Sequence, residues 1–106
     1  MRLLLAFLAL AVAAAAHAKN PAAGREKAAQ VCAACHGPNG DKPSTPDQPI
    51  LAGQHYDYLV QALTDYKSGR RTNPIMKGFA AALSRKDIED LSAWFASQKS
   101  PLHLQR

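Results

Sequence analysis

Hydrophobic residues recur at helical spacing in three stretches of the chain, and nowhere do they alternate as in a β-strand. In the first stretch Gly24, Ala28 and Val31 share one face. Asn20, followed directly by a proline, is a good N-cap with proline at the first helical position. We therefore predict a helix over residues 21–34, ended by a turn rich in glycine and proline.

Two further stretches predict helices in the second half of the chain. One runs from residue 54 or 55 to residue 68 and has Gly69 as its C-cap. The other begins at Ser84, where Asp87 completes a capping box three residues later, and it ends before Pro101. The apolar residues of these two helices are Leu59, Ala62, Leu63, Tyr66, Ile88, Leu91, Trp94 and Phe95.

The segments between these helices have the composition of loops. Residues 38–49 contain four prolines among Ser, Thr and Asp, without periodicity. Residues 70–80 are marked by the Asn73-Pro74 pair and by Gly78. With no strand pattern, no repeat and no second domain, the fold class is predicted to be all-α, with three main helices in one small domain.

The first 18 residues have the pattern of a secretory signal peptide. Arg2 supplies a positive charge, residues 3–16 are an unbroken apolar run, and Ala18 ends a small-x-small cleavage site. A membrane anchor is the alternative, but a span needs about 20 apolar residues, and this run has fourteen. We predict a cleaved signal peptide over residues 1–18 and an exported domain over residues 19–106, with no stable membrane insertion after cleavage.

Size and charge narrow the classes of partner. The predicted mature chain has 88 residues and twelve Lys and Arg against eight Asp and Glu, a net charge of +4 with neutral histidines. This charge is too mild and too dispersed to indicate nucleic-acid binding, but it is compatible with an acidic protein partner or an anionic membrane surface. A domain this small often needs a disulfide, a metal or a cofactor to complete its core.

The two cysteines of the chain lie three residues apart in VCAACHG, and His36 follows the second one directly. A redox dithiol normally lies between a strand and a helix, and no strand is predicted. A zinc site needs a second ligand pair, for which the mature chain offers His55 and His103, 48 residues apart. A disulfide between Cys32 and Cys35 would close a very small loop and stabilise little.

A covalently bound haem accounts for all three residues. On a helix, Cys32 and Cys35 lie on one side, so both sulfurs can reach the vinyl groups at one edge of a porphyrin, while His36 ligates the iron. The predicted mature chain contains a single methionine, Met76, in the second predicted loop, and it is the candidate for the other axial ligand. His55 is the fallback ligand. From this motif alone, the dithiol, zinc and haem interpretations stay open.

Sequence motifs along most of the chain favour the haem interpretation. CAACHGPNG, PILAGQ, YLVQAL, YKSGRRTNPIM and LSRKDIEDLSAWFASQ follow one another over nearly all of residues 24–98. With them the chain resembles a class I cytochrome c, and within that class the small bacterial kind similar to one half of the dihaem cytochromes c. The resemblance implies one haem c bound through Cys32 and Cys35, with His36 and Met76 as the axial iron ligands.

The resemblance also implies roles for residues around the haem. Pro49 stands where the family has a proline whose carbonyl accepts the second ring proton of the histidine. Gly24 and Ala28 match small positions on the first helix. There the helix is expected to cross Leu91 and Trp94 of the last helix. Candidate hydrogen-bond donors at the haem edge or the methionine loop are Gln54, Arg71 and Asn73.

We therefore expect a periplasmic carrier of single electrons between larger redox proteins, not an enzyme, and without catalytic residues. A ring of basic residues would orient the acidic docking surfaces of its partners at the haem edge. The members of this ring are Lys67, Arg70, Arg71 and Lys77. The alternative, if Met76 does not ligate, is a haem protein with an open sixth position that acts as a peroxidase or a gas sensor.

Overall fold

Five helices make up the computed structural model, which describes residues 19–101 of the chain. They are α1 (Pro21–Val31), α2 (Ala33–His36), α3 (Tyr56–Ser68), α4 (Pro74–Ala81) and α5 (Arg85–Ser97). No strand occurs in this described range, which confirms the all-α prediction. None of its helices is long and apolar enough to pass through a membrane. The predicted signal peptide, residues 1–18, and His103 lie outside the described residues, so the division of the chain after Ala18 stays a prediction.

Helices α1 and α5 cross with their backbones almost in contact. Gly24 permits this approach, since a Cβ atom at its position would lie 1.9 Å from the carbonyl oxygen of Asp90 and 3.0 Å from the amide nitrogen of Leu91. Ala28, one turn further along α1, is fully buried. The expected crossing of a small α1 residue with Leu91 is thus confirmed.

Replacing Gly24 by alanine is expected to destabilise the protein by about 1–3 kcal/mol, because the new methyl group overpacks a contact between two backbones. Leucine at this position should cost more. Gly78→Ala is the matched control, since a Cβ atom there meets nothing within 4 Å and loss of a helical glycine stabilises by up to about 1 kcal/mol. Denaturant unfolding of the holoprotein measures both variants, and equal effects from the two would contradict the close crossing.

The C-terminus of α3 and the N-terminus of α5 lie where their local sequence signals predicted them. Gly69 adopts the left-handed conformation with a φ of 85° at the end of α3. At the start of α5, the Ser84 hydroxyl accepts a hydrogen bond from the Asp87 amide at 3.0 Å. The Asp87 carboxylate in turn accepts one from the Ser84 amide at 2.9 Å, and this bond holds the pKa of Asp87 below its usual value.

The first predicted helix is interrupted, so the prediction of one continuous helix over residues 21–34 is wrong. The helix α1 ends at Val31, and Cys32, which has a φ of −113° within the right-handed helical region, separates it from α2. The Cys32 carbonyl then accepts hydrogen bonds from the amides of Cys35 and His36, at 3.2 and 3.0 Å. These bonds begin the short helix α2, which extends past residue 34 and includes His36.

Most of the loop predicted over residues 70–80 is a helix, α4, and that prediction is wrong. Asn73 caps its N-terminus, where the side-chain oxygen accepts hydrogen bonds from the amides of Ile75 and Met76, both at 3.1 Å. Pro74 occupies the first helical position. An Asn-Pro pair therefore begins α4 just as another begins α1. The methionine lies on a helix and not in a loop.

The long loop between α2 and α3 is fixed against α5. A Cβ atom on Gly40, which has a φ of 77°, would lie 2.7 Å from the Phe95 ring. The Gly53 amide donates to the Phe95 carbonyl at 2.9 Å, and the Trp94 indole donates to the Pro38 carbonyl at 3.0 Å. The loop thus closes over a small core, whose buried residues are Ala28, Leu59, Ala80, Leu83, Ile88, Leu91 and Phe95.

Candidate cofactor site

A cavity of about 310 Å³ lies between α2, α3, α4 and the long loop. Its lining is mainly apolar and includes Cys35, His36, Leu59, Met76, Phe79 and Phe95. Two lining residues of α4, Ile75 and Phe79, are 64% and 48% exposed, so the cavity reaches the surface beside α4. Its volume lies in the range of about 300–1,000 Å³ that is typical of sites for small ligands and cofactors.

The two cysteines border the cavity from adjoining turns of one segment. No disulfide joins them, both are partly buried, and both line the cavity. Burial raises the pKa of Cys32 to about 11, and the proximity of Cys35 adds to the effect. Because a redox dithiol needs a thiol that ionises near neutral pH, this environment disfavours the dithiol interpretation.

The imidazole ring of His36 is buried, and the long loop determines its orientation. The ring nitrogen Nδ1 lies 2.9 Å from the carbonyl oxygen of Pro49, the contact that the resemblance implies for this proline. A carbonyl oxygen can only accept, so Nδ1 carries the proton and the lone pair of the neutral ring is on Nε2. The ring therefore offers one basic nitrogen, held in a set direction, to a metal.

The described residues do not provide the ligand set of a zinc site. Among residues 19–101 there is no group of three His, Cys, Asp or Glu side chains that could hold a metal ion. His55, the fallback axial ligand, is exposed just before α3 and does not line the cavity. The structure does not bring it to the site.

Met76 reaches the cavity from the first turn of α4 and is partly buried. The polar residue beside it is Asn73, which the sequence suggested as a hydrogen-bond donor. Its side-chain oxygen accepts from the amides of Ile75 and Met76, and donation by its side-chain nitrogen stays a prediction. Asn73 therefore fixes the backbone that carries the thioether.

Arg71 lies on the cavity lining between two tyrosines. Its Nη2 donates to the Tyr58 hydroxyl at 3.1 Å, and its guanidinium carbon is 5.5 and 5.3 Å from the ring centroids of Tyr58 and Tyr66. The bond to Tyr58 is the main reason why the pKa of Arg71 is raised. Gln54 also lines the cavity, but its side-chain oxygen accepts from the His55 amide at 2.9 Å. Sequence reasoning missed Tyr58, although its spacing of eight from Tyr66 indicated a shared face of α3.

The arrangement of these donors fits a covalently attached haem. The cavity has apolar walls for a flat macrocycle, and His36 on α2 offers an imidazole nitrogen to a central metal. Met76 offers a thioether from a different helix, and Cys32 and Cys35 offer two thiols on the same lining. The described residues bring these four groups to one cavity, and no other candidate group accounts for all of them.

Comparison with known proteins agrees with this fit. Residues 21–99 match the profile of the cytochrome c family. The chain is 45% identical over 92 residues to cytochrome c4 of Pseudomonas aeruginosa, with 87% of this chain and 45% of the relative covered. It is 37% identical over 78 residues to the thiosulfate dehydrogenase electron acceptor of Stutzerimonas stutzeri, with 74% of this chain and 36% of the relative covered.

The fold is also similar to that of a solved structure. The crystal structure of reduced recombinant cytochrome c4 from Pseudomonas stutzeri superimposes with a TM-score of 0.73 at 39% identity, covering 80% of this chain and 48% of that chain. The chain thus spans about half the length of the cytochrome c4 relatives. Both comparisons agree with the resemblance to one half of a dihaem class I cytochrome c.

Proposed function

The chain belongs to the cytochrome c family, with covalently attached haem c, and from this premise we propose that it is a periplasmic carrier of single electrons with histidine and methionine as axial ligands. One observation carries the proposal. The His36 ring, with its Nδ1 proton held by the Pro49 carbonyl, borders the same apolar cavity as the Met76 thioether. The predicted signal peptide over residues 1–18 supports export to the periplasm.

We assign the covalent attachment to Cys32 and Cys35, the two thiols on the cavity lining. Each thiol would hold the haem through a sulfur–carbon bond made by addition to a vinyl group, with the thiol hydrogen passing to the other vinyl carbon. No oxidant is required. Two such bonds would secure the cofactor in a domain whose own buried core is small.

We assign axial ligation to His36 and Met76. When bound, the haem supplies a centre that gains or loses one electron. The Nε2 lone pair of His36 is available because Nδ1 is protonated and bound to Pro49. Met76 contributes a neutral sulfur, which raises the reduction potential. With both axial positions taken by side chains, the protein excludes substrates and small ligands from the metal.

A peroxidase or gas sensor with an open sixth position is the competing function, and no contact in the described residues favours it. Met76 lines the cavity, and Asn73 holds its backbone in place through the Met76 amide. The matched relatives are named as cytochromes and as an electron acceptor. These observations support the carrier.

Absorption spectroscopy of the purified holoprotein tests the proposed function. The reduced protein should show sharp α and β bands, and its chromophore should stay with the polypeptide during extraction with acidified acetone. Carbon monoxide should leave the reduced spectrum unchanged at concentrations that saturate an open haem. Immediate carbon monoxide binding would favour the open-site alternative, and an extractable chromophore would contradict covalent attachment.

We propose that redox proteins are the partners of this chain and that basic residues near α4 orient them; a relative is named as the electron acceptor of thiosulfate dehydrogenase. Arg70 and Lys77 are exposed, and Lys77 directly follows Met76 in α4. The other two basic residues of the predicted ring make contacts within the chain: Arg71 with Tyr58, and Lys67 with backbone carbonyls. Arg70 and Lys77 are thus the charges best placed to attract an acidic docking surface.

The Arg70→Gln, Lys77→Gln double variant should react about two- to fivefold more slowly with hexacyanoferrate, a small anionic redox reagent, at low ionic strength. Lys99→Gln is the control for the loss of one positive charge, since Lys99 is exposed and follows α5, whereas Lys77 lies on α4 and Arg70 in the segment before it. Stopped-flow mixing gives the rates, and above about 0.1 M salt the difference should fade because the Debye length shortens to about 10 Å. A salt-independent difference, or an equal loss in the control, would contradict the assignment.

A further inference from the structure

We propose that Lys67 positions the methionine ligand by holding the C-terminal end of α4, the helix that carries Met76. The proposal rests on the axial role proposed for Met76. Lys67 lies in the last turn of α3. Its Nζ donates to the carbonyl oxygen of Ala81 at 3.3 Å and also to that of Leu83. One ammonium group thereby joins α3 to the last residue of α4 and to the turn before α5.

The end of α4 needs such a donor from another helix. The last carbonyl groups of any helix lack partners within it, and they carry a partial negative charge that a cation stabilises. The last turn of α4 contains no basic residue, so α4 does not supply this cation itself. Lys67 supplies it from α3, and the bond to Leu83 is partly buried.

The helix α4 packs along α3 but buries little of its own surface. Among its eight residues, all within the described range, only Ala80 is buried. Ile75 and Phe79 line the cavity, and the surroundings of Gly78 are open. A helix this short has little stability of its own. Its position therefore depends on packing against α3, on the Asn73 cap at one end and on Lys67 at the other.

The position of α4 determines how firmly Met76 closes the site. An exogenous ligand binds the ferric iron only when Met76 has moved away. Its apparent affinity is therefore its intrinsic affinity for the open arrangement multiplied by the fraction of molecules in that arrangement. The bonds from Lys67 stabilise the closed arrangement. Their loss should raise the open fraction, and with it the apparent affinity for an added ligand.

Imidazole titration of the ferric holoprotein tests the proposal. Lys67→Met keeps the length of the side chain but removes the donor, and it should bind imidazole about tenfold more tightly than wild type, as expected when a hydrogen bond from a charged group is lost. Lys67→Arg retains a charged donor and should stay within about threefold of wild type. If Lys67→Met gives no holoprotein, Lys67→Gln, with one neutral donor, should show an intermediate increase.

Variants of two further lysines distinguish the positioning role of Lys67 from a general effect on stability or on charge. Lys86 pairs with the buried carboxylate of Asp90 on α5, so Lys86→Met should lower the melting temperature without raising imidazole affinity. Lys99→Met removes one exposed positive charge away from α4 and should leave the affinity within about twofold of wild type.

Imidazole affinities of these variants test the role of Lys67 separately from that of Met76. Unchanged imidazole affinity in Lys67→Met, or an equal increase in Lys86→Met, would overturn the role of Lys67. Wild type that binds imidazole as tightly as Met76→Ala, and lacks the weak near-infrared sulfur-to-iron band, would instead overturn axial ligation by Met76. The expected result is that wild type binds imidazole weakly and that Lys67→Met binds it more tightly.

Discussion

The Cys32→Ala, Cys35→Ala double variant is expected to yield no haem-containing protein. Both thiols line the cavity, and without them only axial contacts and apolar packing would retain the cofactor. The buried hydrophobic core within the described range consists of ten residues, seven of which form one cluster, and so small a core retains a cofactor weakly without covalent bonds. Haem staining after denaturing electrophoresis, together with the visible spectrum, measures the outcome.

Each single cysteine variant should keep at most one thioether and should shift the pyridine haemochrome spectrum. Ala34→Ser is the matched control, because Ala34 lies in the same segment but is exposed and does not line the cavity. It should retain the full haem content. Recovery of a stable, folded and haem-free protein from the double variant would show that the fold does not depend on the cofactor.

Met76→Ala is expected to open the iron to external ligands and to raise peroxidase-like activity. The fold should survive, since the two thioethers and His36 would still hold the haem. Met76→His should keep a low-spin, six-coordinate iron but lower the reduction potential, because thioether ligation stabilises the ferrous state more than imidazole does. The near-infrared sulfur-to-iron band, carbon monoxide binding and the reduction potential are the measurements.

Ile75→Ala is the matched control for these variants. Ile75 precedes Met76 on α4, lines the cavity and is 64% exposed. Its loss should change the packing at the mouth but keep the near-infrared band and the closed iron. If wild type lacks this band, or binds carbon monoxide as readily as Met76→Ala, electron transfer with a closed iron is wrong.

Features that depend on near neighbours in the chain were predictable from sequence. The helix α3 ends at Gly69 and α5 begins with the Ser84–Asp87 capping box, as predicted. A C-cap glycine and a capping box each satisfy backbone groups within one turn of themselves, so the pattern contains all the information needed. The start of α4 was equally predictable from adjacent residues, because Asn73 and a proline begin it. Its omission was an error of interpretation.

The break at Cys32 was less predictable. Residues 21–36 have a helical pattern throughout, and no proline or glycine separates Val31 from Ala33. The φ of −113° at Cys32 and the two amides that share its carbonyl have no local sequence signal. These backbone details bring Cys35 and His36 to the cavity lining.

The sequence by itself determined the residue types of the site, the helical class, the start of α1, the end of α3 and the start of α5, because these depend on composition and on contacts within a turn. Only the tertiary structure decided which distant groups meet. Gly24 lies against Asp90, the Pro49 carbonyl orients the His36 ring, and Lys67 holds the end of α4. Such contacts join residues between 13 and 66 positions apart, and they form only when distant segments pack, so periodicity within one helix cannot specify them.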